Sequence, residues 1–168
     1  MATDPNNEMA AERFRGPADS PGFLLWQGAN RWQRGLNAAL RPLGLTHVQF
    51  VLLAVLAHQG GPATQVALAR LCGIDAMTAS LVLRGMERRG LVARTIHAVD
   101  SRAKAIVLNA AGGEVLRRAL PMIEKEDAAF FAALGADVPA FTAALGRLGG
   151  IRARIRLRPA RDASPQDT

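Results

Sequence analysis

Length, composition and charge lead us to expect a basic, globular protein. The 168 residues fit one domain, or one small domain with helical arms, and 49% apolar residues are enough for a hydrophobic core. The longest apolar run, residues 50–57, is too short to cross a bilayer. The net charge of +7 comes from arginine rather than lysine, which suits paired hydrogen bonds to phosphate or guanine.

The two ends of the chain are expected to lie outside the folded part. Residues 1–20 lack periodicity and contain Pro5, Gly16 and Pro17, so they are predicted to form a flexible arm. They contain no apolar segment of the kind found in signal peptides, and the expected location is the cytoplasm. Residues 159–168 are predicted to be disordered.

Two helices are predicted before residue 60. A long helix begins near Gly22, and apolar residues recur on one face at spacings of three and four: Leu25, Ala29, Trp32, Leu36, Leu40 and Leu43. Thr46 is a candidate N-cap for a second helix, residues 47–58. This second helix is apolar on all sides, which predicts that it is buried.

A pair of short helices follows the break at residues 60–62. Thr64 is predicted to cap a helix over residues 65–72, which Gly73 ends. Asp75 is predicted to cap the next helix, residues 76–89, which ends at Gly90. Two helices joined by a short turn that contains glycine are typical of a helix-turn-helix.

Beyond Gly90 the apolar period changes from 3.6 to 2, which predicts strands over residues 91–96 and 104–108. The polar residues 97–103 between them form the tip of a hairpin, and a hairpin in this place is a wing. Asn109 is a candidate cap for a further helix that Pro121 should kink or split. The last helix carries Phe141, Leu145, Leu148 and Ile155.

The predicted fold class is therefore mainly α with a small β-hairpin, a winged helix-turn-helix with N- and C-terminal dimerisation helices. The regulator domain is placed at residues 21–158, with a DNA-binding lobe at about residues 46–110. The dimerisation helices are placed at about residues 22–43 and 111–158. Leu36 and Leu40 near one end, and Phe141, Leu145 and Leu148 near the other, are expected to need a partner chain for their burial.

The second helix of the motif has two contrasting faces. Ala79, Val82, Leu83 and Met86 follow the spacing of a buried face. The opposite face carries Met77, Leu81, Arg84 and Arg88, with Thr78 and Ser80 on its flanks. This face predicts a recognition helix in which Arg84 contacts guanine or phosphate and the two apolar side chains touch thymine methyl groups. A surface helix with two stray apolar residues is the alternative.

The wing and the first helix of the motif supply the other candidate DNA contacts. Arg102, beside Asp100 at the tip, is predicted to enter the minor groove, or else to be a solvated arginine in an ordinary turn. Arg94 is predicted to reach phosphate or to pair with an acid. Thr64, Gln65 and Lys104 complete the set of candidate DNA-binding residues.

The sequence resembles the MarR family of regulators in three runs: LTHVQFVLLAVL, TQVALARLCGIDAMTASLVLRGMERRGLVAR and DSRAKAIVLNAAG. The resemblance covers about residues 22–156 and is strongest at residues 87–92 and at Asp100-x-Arg102. It implies a triangular homodimer with interlocked terminal helices. It also implies that Thr78, Ser80 and Arg84 lie on the recognition helix and Arg102 on the wing.

The chain also departs from the family pattern. Leu81 stands where a polar residue is usual, Gly85 where a longer side chain is common, and Asn109 where threonine usually caps the helix. These differences leave the operator sequence open. A two-fold dimer that reads a palindrome would place its recognition helices ~34 Å apart.

The resemblance further implies release of DNA by a small effector, commonly a phenolic or other aromatic anion, bound between the dimer arms and the winged lobe. Candidate ligand-binding residues are Trp26, Asn30, Arg31 and His47. The alternative is that Trp26 packs in the dimer and Asn30 satisfies a backbone group. The three histidines show no metal spacing, and we expect neither a metal nor another cofactor.

The expected function is that of a sequence-specific, ligand-responsive repressor that binds a palindromic operator as a homodimer. No nucleophile with a base, carboxylate pair or phosphate-binding loop is recognisable, so an enzyme is not expected. One alternative is a winged-helix protein that binds another protein. A second is a redox-sensing regulator that acts through Cys72, although a small buried apolar role is the simpler interpretation of a lone cysteine.

Overall fold

The computed structural model describes residue 16 and residues 19–96 and 104–150. The elements, in chain order, are α1 (Pro21–Leu40), a 3-10 turn (Arg41–Leu43), α2 (His47–Gln59), β1 (Ala63–Thr64), α3 (Gln65–Cys72), α4 (Ala76–Arg88), β2 (Val92–Ile96), β3 (Lys104–Leu108), α5 (Ala110–Phe131), a 3-10 segment (Ala132–Asp137) and α6 (Val138–Leu148). The predicted disordered tail, Asp100, Arg102 and Ile155 lie outside the described residues, as does most of the predicted flexible arm.

Side-chain caps start four of these helices. Ser20, Thr46, Thr64 and Asp75 each accept a hydrogen bond from the backbone N–H three residues further on. Thr46 and Gln49 form a reciprocal capping box, because the Gln49 side chain also accepts from the Thr46 N–H at 3.1 Å. The predicted caps at Thr46, Thr64 and Asp75 are confirmed, and with them the helix-turn-helix made by α3 and α4.

The predicted hairpin is confirmed as the antiparallel pair β2–β3, with Val92 opposite Leu108 and Ile96 opposite Lys104. A third strand, β1, pairs with the other edge of β3 through Ala63 and Thr64. This strand was not predicted, because two residues are too short to show an alternating pattern. It fixes the start of α3 to the sheet, since Thr64 belongs to the strand and also caps the helix.

The five helices α1–α5 and the sheet share one hydrophobic core. Helix α2 lies buried within this core, as predicted. Leu36 and Leu40 are 0% exposed in the single chain. The expectation that they need a partner chain is therefore wrong: the C-terminal half of α1 packs into the core of its own lobe. The N-terminal half of α1 differs, since Leu24 and Leu25 are each 50% exposed.

Helix α5 runs through Pro121 as one element, so of the two predicted outcomes, a kink or a split, the split is wrong. Proline removes one backbone N–H, and the helix tolerates this loss because Pro121 lies on its exposed side, where water can bind the freed carbonyl. The described chain divides into two compact units between Phe130 and Phe131.

The described part of the second unit, residues 131–150, is short and mostly apolar. Its helix α6 leaves Leu148 77% exposed, and the ring centroids of Phe131 and Phe141 lie 6.1 Å apart.

By length and composition alone, Ala110–Leu148 contains a window apolar enough to cross a membrane, with mean hydropathy 1.6. Two bent helix pairs also qualify if each pair counts as one span. The prediction from sequence rested only on uninterrupted apolar runs, of which the longest, residues 50–57, is too short to cross a bilayer. Gly135, at φ 51° and ψ −122°, breaks the stretch Ala110–Leu148.

Candidate nucleic-acid interface

Helix α4 has one face in the core and the other in solvent. Ala79, Leu83 and Met86 are 0% exposed, and Val82 is half-buried, which confirms the predicted buried face. On the opposite side Met77 is 81% and Leu81 63% exposed. Arg84 and Arg88 are exposed on the same side: Met77, Leu81, Arg84 and Arg88 define what we call the α4 outer face.

The N-terminus of α4 is held by Asp75. Its carboxylate accepts hydrogen bonds from the Thr78 N–H at 2.8 Å and from the Thr78 hydroxyl at 2.5 Å. The hydrogen bond from the Thr78 side chain, followed by that from its backbone, lowers the pKa of Asp75. The Thr78 hydroxyl is therefore oriented towards its own cap and offers a further ligand only an acceptor lone pair. Ser80 lies half-buried on the flank of the helix.

The two predicted residues at the start of α3, Thr64 and Gln65, serve first to build the motif. The Thr64 hydroxyl accepts from the Ala67 N–H at 3.2 Å. The Gln65 side-chain amide makes a long contact of 3.5 Å with the Ala76 carbonyl oxygen, across the turn between the two helices. Gln65 therefore adds one weak contact between the first turns of α3 and α4.

The C-terminal end of α4 is tied down on two sides. Arg89 donates from Nη1 to the Gly44 carbonyl oxygen at 2.7 Å and to Gln49 Oε1 at 3.3 Å. Glu87 Oε2 accepts from Arg94 Nε on β2 at 2.9 Å. Of the two alternatives for Arg94, the structure contains the pair with an acid. Arg94 Nη2 is buried and lacks a hydrogen-bond partner among the described residues.

Charge on the helix-turn-helix is unbalanced. Between Gln65 and Arg89 the sequence has two acids, Asp75 and Glu87, against Arg70, Arg84, Arg88 and Arg89. Both acids are engaged, Asp75 with Thr78 inside the motif and Glu87 with Arg94 on β2. The surface that remains is positive, as a surface that binds phosphate requires.

The wing carries the rest of the predicted contacts. Lys104 begins β3 at the loop end of the hairpin, opposite Ile96. Asp100 and Arg102 fall in residues 97–103 and are outside the described residues. Sequence reasoning missed Glu87 and Arg89 as structural residues, since their partners lie on other elements.

Three of the four predicted ligand residues lie together on α1. Trp26, Asn30 and Arg31 line an open groove of about 600 Å³ with Leu24, Gln27, Gly28 and Arg34. The Trp26 side chain is 62% exposed, and its ring centroid lies 5.9 Å from that of Phe23. His47 does not line the described part of this groove.

His47 belongs instead to a cluster with Trp32 and Asp127. The two rings meet edge to face with centroids 5.0 Å apart, and Trp32 Nε1 donates to Asp127 Oδ1 at 2.6 Å. Burial lowers the pKa of His47, and the nearby Asp127 carboxylate opposes this shift. No sequence signal could have found this cluster, because Trp32 and Asp127 are 95 residues apart.

Cys72, the single cysteine, lies half-buried at the end of α3, and burial raises the pKa of its thiol. Among the residues that the structure describes, no three His, Cys, Asp or Glu side chains converge on a position for a metal ion.

Comparison with known proteins agrees with this architecture. The model of the MarR family matches residues 45–104. The chain is 45% identical over 125 residues to an uncharacterised HTH-type transcriptional regulator, YdcH, of Bacillus subtilis, which covers 72% of this chain and 84% of that protein. It is 34% identical over 119 residues to the HTH-type transcriptional repressor Rv2887 of Mycobacterium tuberculosis, which covers 70% and 85% of the two chains.

Solved structures of similar proteins share the fold. The M. tuberculosis regulator MosR, crystallised in complex with DNA, superposes with a TM-score of 0.68 at 32% identity, covering 78% of this chain and 94% of MosR. Rv2887 in complex with p-aminosalicylic acid gives a TM-score of 0.63 at 31% identity, covering 77% and 98%. With its winged helix-turn-helix and these relatives, the chain belongs to the MarR family of transcriptional regulators.

Proposed function

We propose that this chain is a repressor that binds a palindromic operator as a homodimer and is released by a small effector. The observation that carries the proposal is the α4 outer face, where Arg84 and Arg88 are exposed on a helix whose opposite face packs into the core. Such a helix is rigidly held and presents cations and apolar groups outward, as entry into a major groove requires. The protein acts by binding in the cytoplasm, without a catalytic step.

The proposed DNA-binding residues are those of the motif and its wing. Arg84 and Arg88 contact phosphate or guanine, and Lys104, Arg102 and Asp100 act from the hairpin. Arg94 contributes mainly by fixing Glu87, as its 2.9 Å ion pair indicates. The remaining proposed contacts are Thr64, Gln65, Met77, Thr78, Ser80 and Leu81. The MosR–DNA complex supports this use of the fold, since that neighbour is 32% identical to this chain.

The proposed dimer uses apolar surface that the single chain leaves exposed. On α1, Leu24, Leu25 and Trp26 are 50%, 50% and 62% exposed. On α6, Leu148 is 77% exposed. Large apolar side chains at this density are typical of a surface that another chain covers. Two copies related by a two-fold axis would read two halves of a palindrome.

The proposed effector is a small aromatic anion. Trp26 offers a ring for stacking, Asn30 a polar edge, and Arg31 and Arg34 positive charge along the groove on α1. The complex of Rv2887 with p-aminosalicylic acid, an aromatic acid, supports this class. In the proposed dimer the two winged lobes can adopt two spacings, of which only one fits successive grooves of DNA. The effector favours release only if it binds more tightly to the dimer in the other spacing.

The test is an anisotropy titration of the full chain against the DNA upstream of its own gene, beside a scrambled duplex, over a salt series. We expect selective binding with a steep salt slope. Arg84→Ala should weaken operator binding by about 1–3 kcal/mol. Arg118→Ala is the matched control, because it removes the same charge from an exposed position on α5, away from the motif. Equal losses of operator affinity in the two variants would contradict the assignment of α4 as the helix that binds DNA.

A further inference from the structure

Two large apolar side chains dominate the α4 outer face. Met77 and Leu81 are four residues apart, so they lie on one side of the helix, and they are 81% and 63% exposed. A single exposed apolar residue is ordinary on a protein surface. Two neighbours on one helix, placed among arginines, indicate a ligand that offers both apolar groups and negative charge.

Duplex DNA has both properties in one groove. Its phosphates would pair with Arg84 and Arg88, and its major groove carries one strongly apolar group, the C5 methyl of thymine. The polar side chains beside the α4 outer face offer little for direct base recognition. The Thr78 hydroxyl donates to Asp75, and Ser80 is half-buried. Direct reading by the N-terminal half of α4 therefore rests on apolar contact.

We infer that Met77 and Leu81 recognise thymine methyl groups, so that each half-site carries thymines where these side chains reach the bases. The inference rests on the proposed function and specifies the DNA that it uses. Residues four apart are separated by about 6 Å along a helix, and successive base pairs by about 3.4 Å. The two thymines of a half-site are therefore no more than about two base steps apart.

The experiment uses the full chain and begins with selection of its binding site from a random duplex library. Each thymine of the selected site is then replaced singly by uracil, which removes the methyl group and leaves the base pair intact. We expect one or two positions per half-site at which uracil weakens binding about three- to tenfold, the effect of one buried methyl group.

Substitution identifies the side chains responsible. In Leu81→Ala or Met77→Ala the ratio of affinities for thymine and uracil duplexes should fall towards one at the matching position. Leu71→Ala is the control, because Leu71 is a 50% exposed apolar residue on α3, outside the recognition helix, and its variant should keep the wild-type ratio. Circular dichroism before titration confirms that each variant is folded.

The possible failures are distinguishable. If uracil has no effect at any position while the wild-type protein still prefers its selected site, methyl recognition is wrong and the repressor proposal stands. If the ratio is unchanged in both alanine variants, other residues read the methyl groups and the inference is overturned. If selection yields no preferred sequence, both the proposed function and this inference fail. The α4 outer face would then be better explained as a binding surface for another protein.

Discussion

Arg89 Nη1 lies 2.7 Å from the carbonyl oxygen of Gly44, and this hydrogen bond joins the end of α4 to the turn between α1 and α2. Gly44 adopts a left-handed conformation, with φ of 63°, and turns its carbonyl towards the arginine. The same guanidinium reaches the Gln49 side chain of the capping box. The end of α4 and the turn that follows α1 are thus linked by a contact that lies outside the hydrophobic core.

Arg89→Met should lower the free energy of unfolding by about 1 kcal/mol, because it removes a charge-assisted hydrogen bond to a backbone carbonyl. Arg88→Met is the matched control: it removes the same charge one residue earlier, and we expect a change in stability within about 0.5 kcal/mol. Urea denaturation measures both. In DNA titration the order should reverse: Arg88→Met should bind DNA more weakly than Arg89→Met, because it loses a phosphate contact. Equal stability of the two variants would mean that the hydrogen bond from Arg89 to Gly44 does not stabilise the fold.

Acid should destabilise the fold through His47. Its pKa is lowered below the ordinary value of 6.5 by burial. Below pH 6.5 the unfolded chain therefore binds more protons than the folded chain, so the free energy of unfolding falls as the pH falls, until the folded-state pKa is passed. Urea midpoints measured between about pH 7.5 and pH 5.5 should decrease in the wild-type protein. In His47→Gln the urea midpoint should depend less steeply on pH. An identical slope in the two proteins would refute the assignment of this pH dependence to His47.

Gly112 should not tolerate a side chain. A Cβ at this position would overlap the carbonyl oxygen of Leu91 and crowd the Leu108 side chain, so the start of α5 would have to move away from β2 and β3. We expect Gly112→Ala to cost about 2 kcal/mol.

Gly113→Ala is the natural control, since a Cβ there meets nothing within 4 Å and the same helix should gain about 0.5–1 kcal/mol from alanine. Thermal unfolding of the two variants should shift in opposite directions. A shift of the same sign in both would mean that the contact with Leu91 is not what excludes a side chain.

Cys72 should react slowly with thiol reagents. Burial raises the pKa of its thiol, which lowers the thiolate fraction at neutral pH, and the thiolate is the reactive form. The rate of alkylation by iodoacetamide should be several-fold lower in the folded than in the urea-unfolded chain. Treatment with hydrogen peroxide should leave DNA affinity unchanged, and Cys72→Ser should behave as wild type. Loss of DNA binding on oxidation, absent in Cys72→Ser, would instead favour the redox-sensing alternative.

Local signals explain why so much of the fold could be predicted. Helix α3 begins and ends at the predicted residues because Thr64 caps it and Gly73, with φ of 64°, stops it. Each of these signals lies within a few residues of the element that it bounds. What the sequence could not predict depends on packing between distant segments. A spacing of four predicts that Leu36 and Leu40 share a face, and only the fold reveals that their own lobe covers it.

The candidate site divides in the same way. The outward position of Met77, Leu81 and Arg84 follows from helical geometry alone. The contacts of Arg89 with Gly44 and of Trp32 with Asp127 span 45 and 95 residues. Such pairs depend on which elements pack together, and a periodic pattern does not contain that information.

The burial of Leu36 and Leu40 has a consequence for how α1 can change during evolution. The C-terminal half of this helix is fixed in the lobe, so substitutions there affect folding and are constrained in volume. The N-terminal half, with Leu24, Leu25 and Trp26 exposed, is free to change its side chains without unfolding the lobe. One continuous helix can therefore acquire new contacts at one end while the other end keeps the packing of the lobe unchanged.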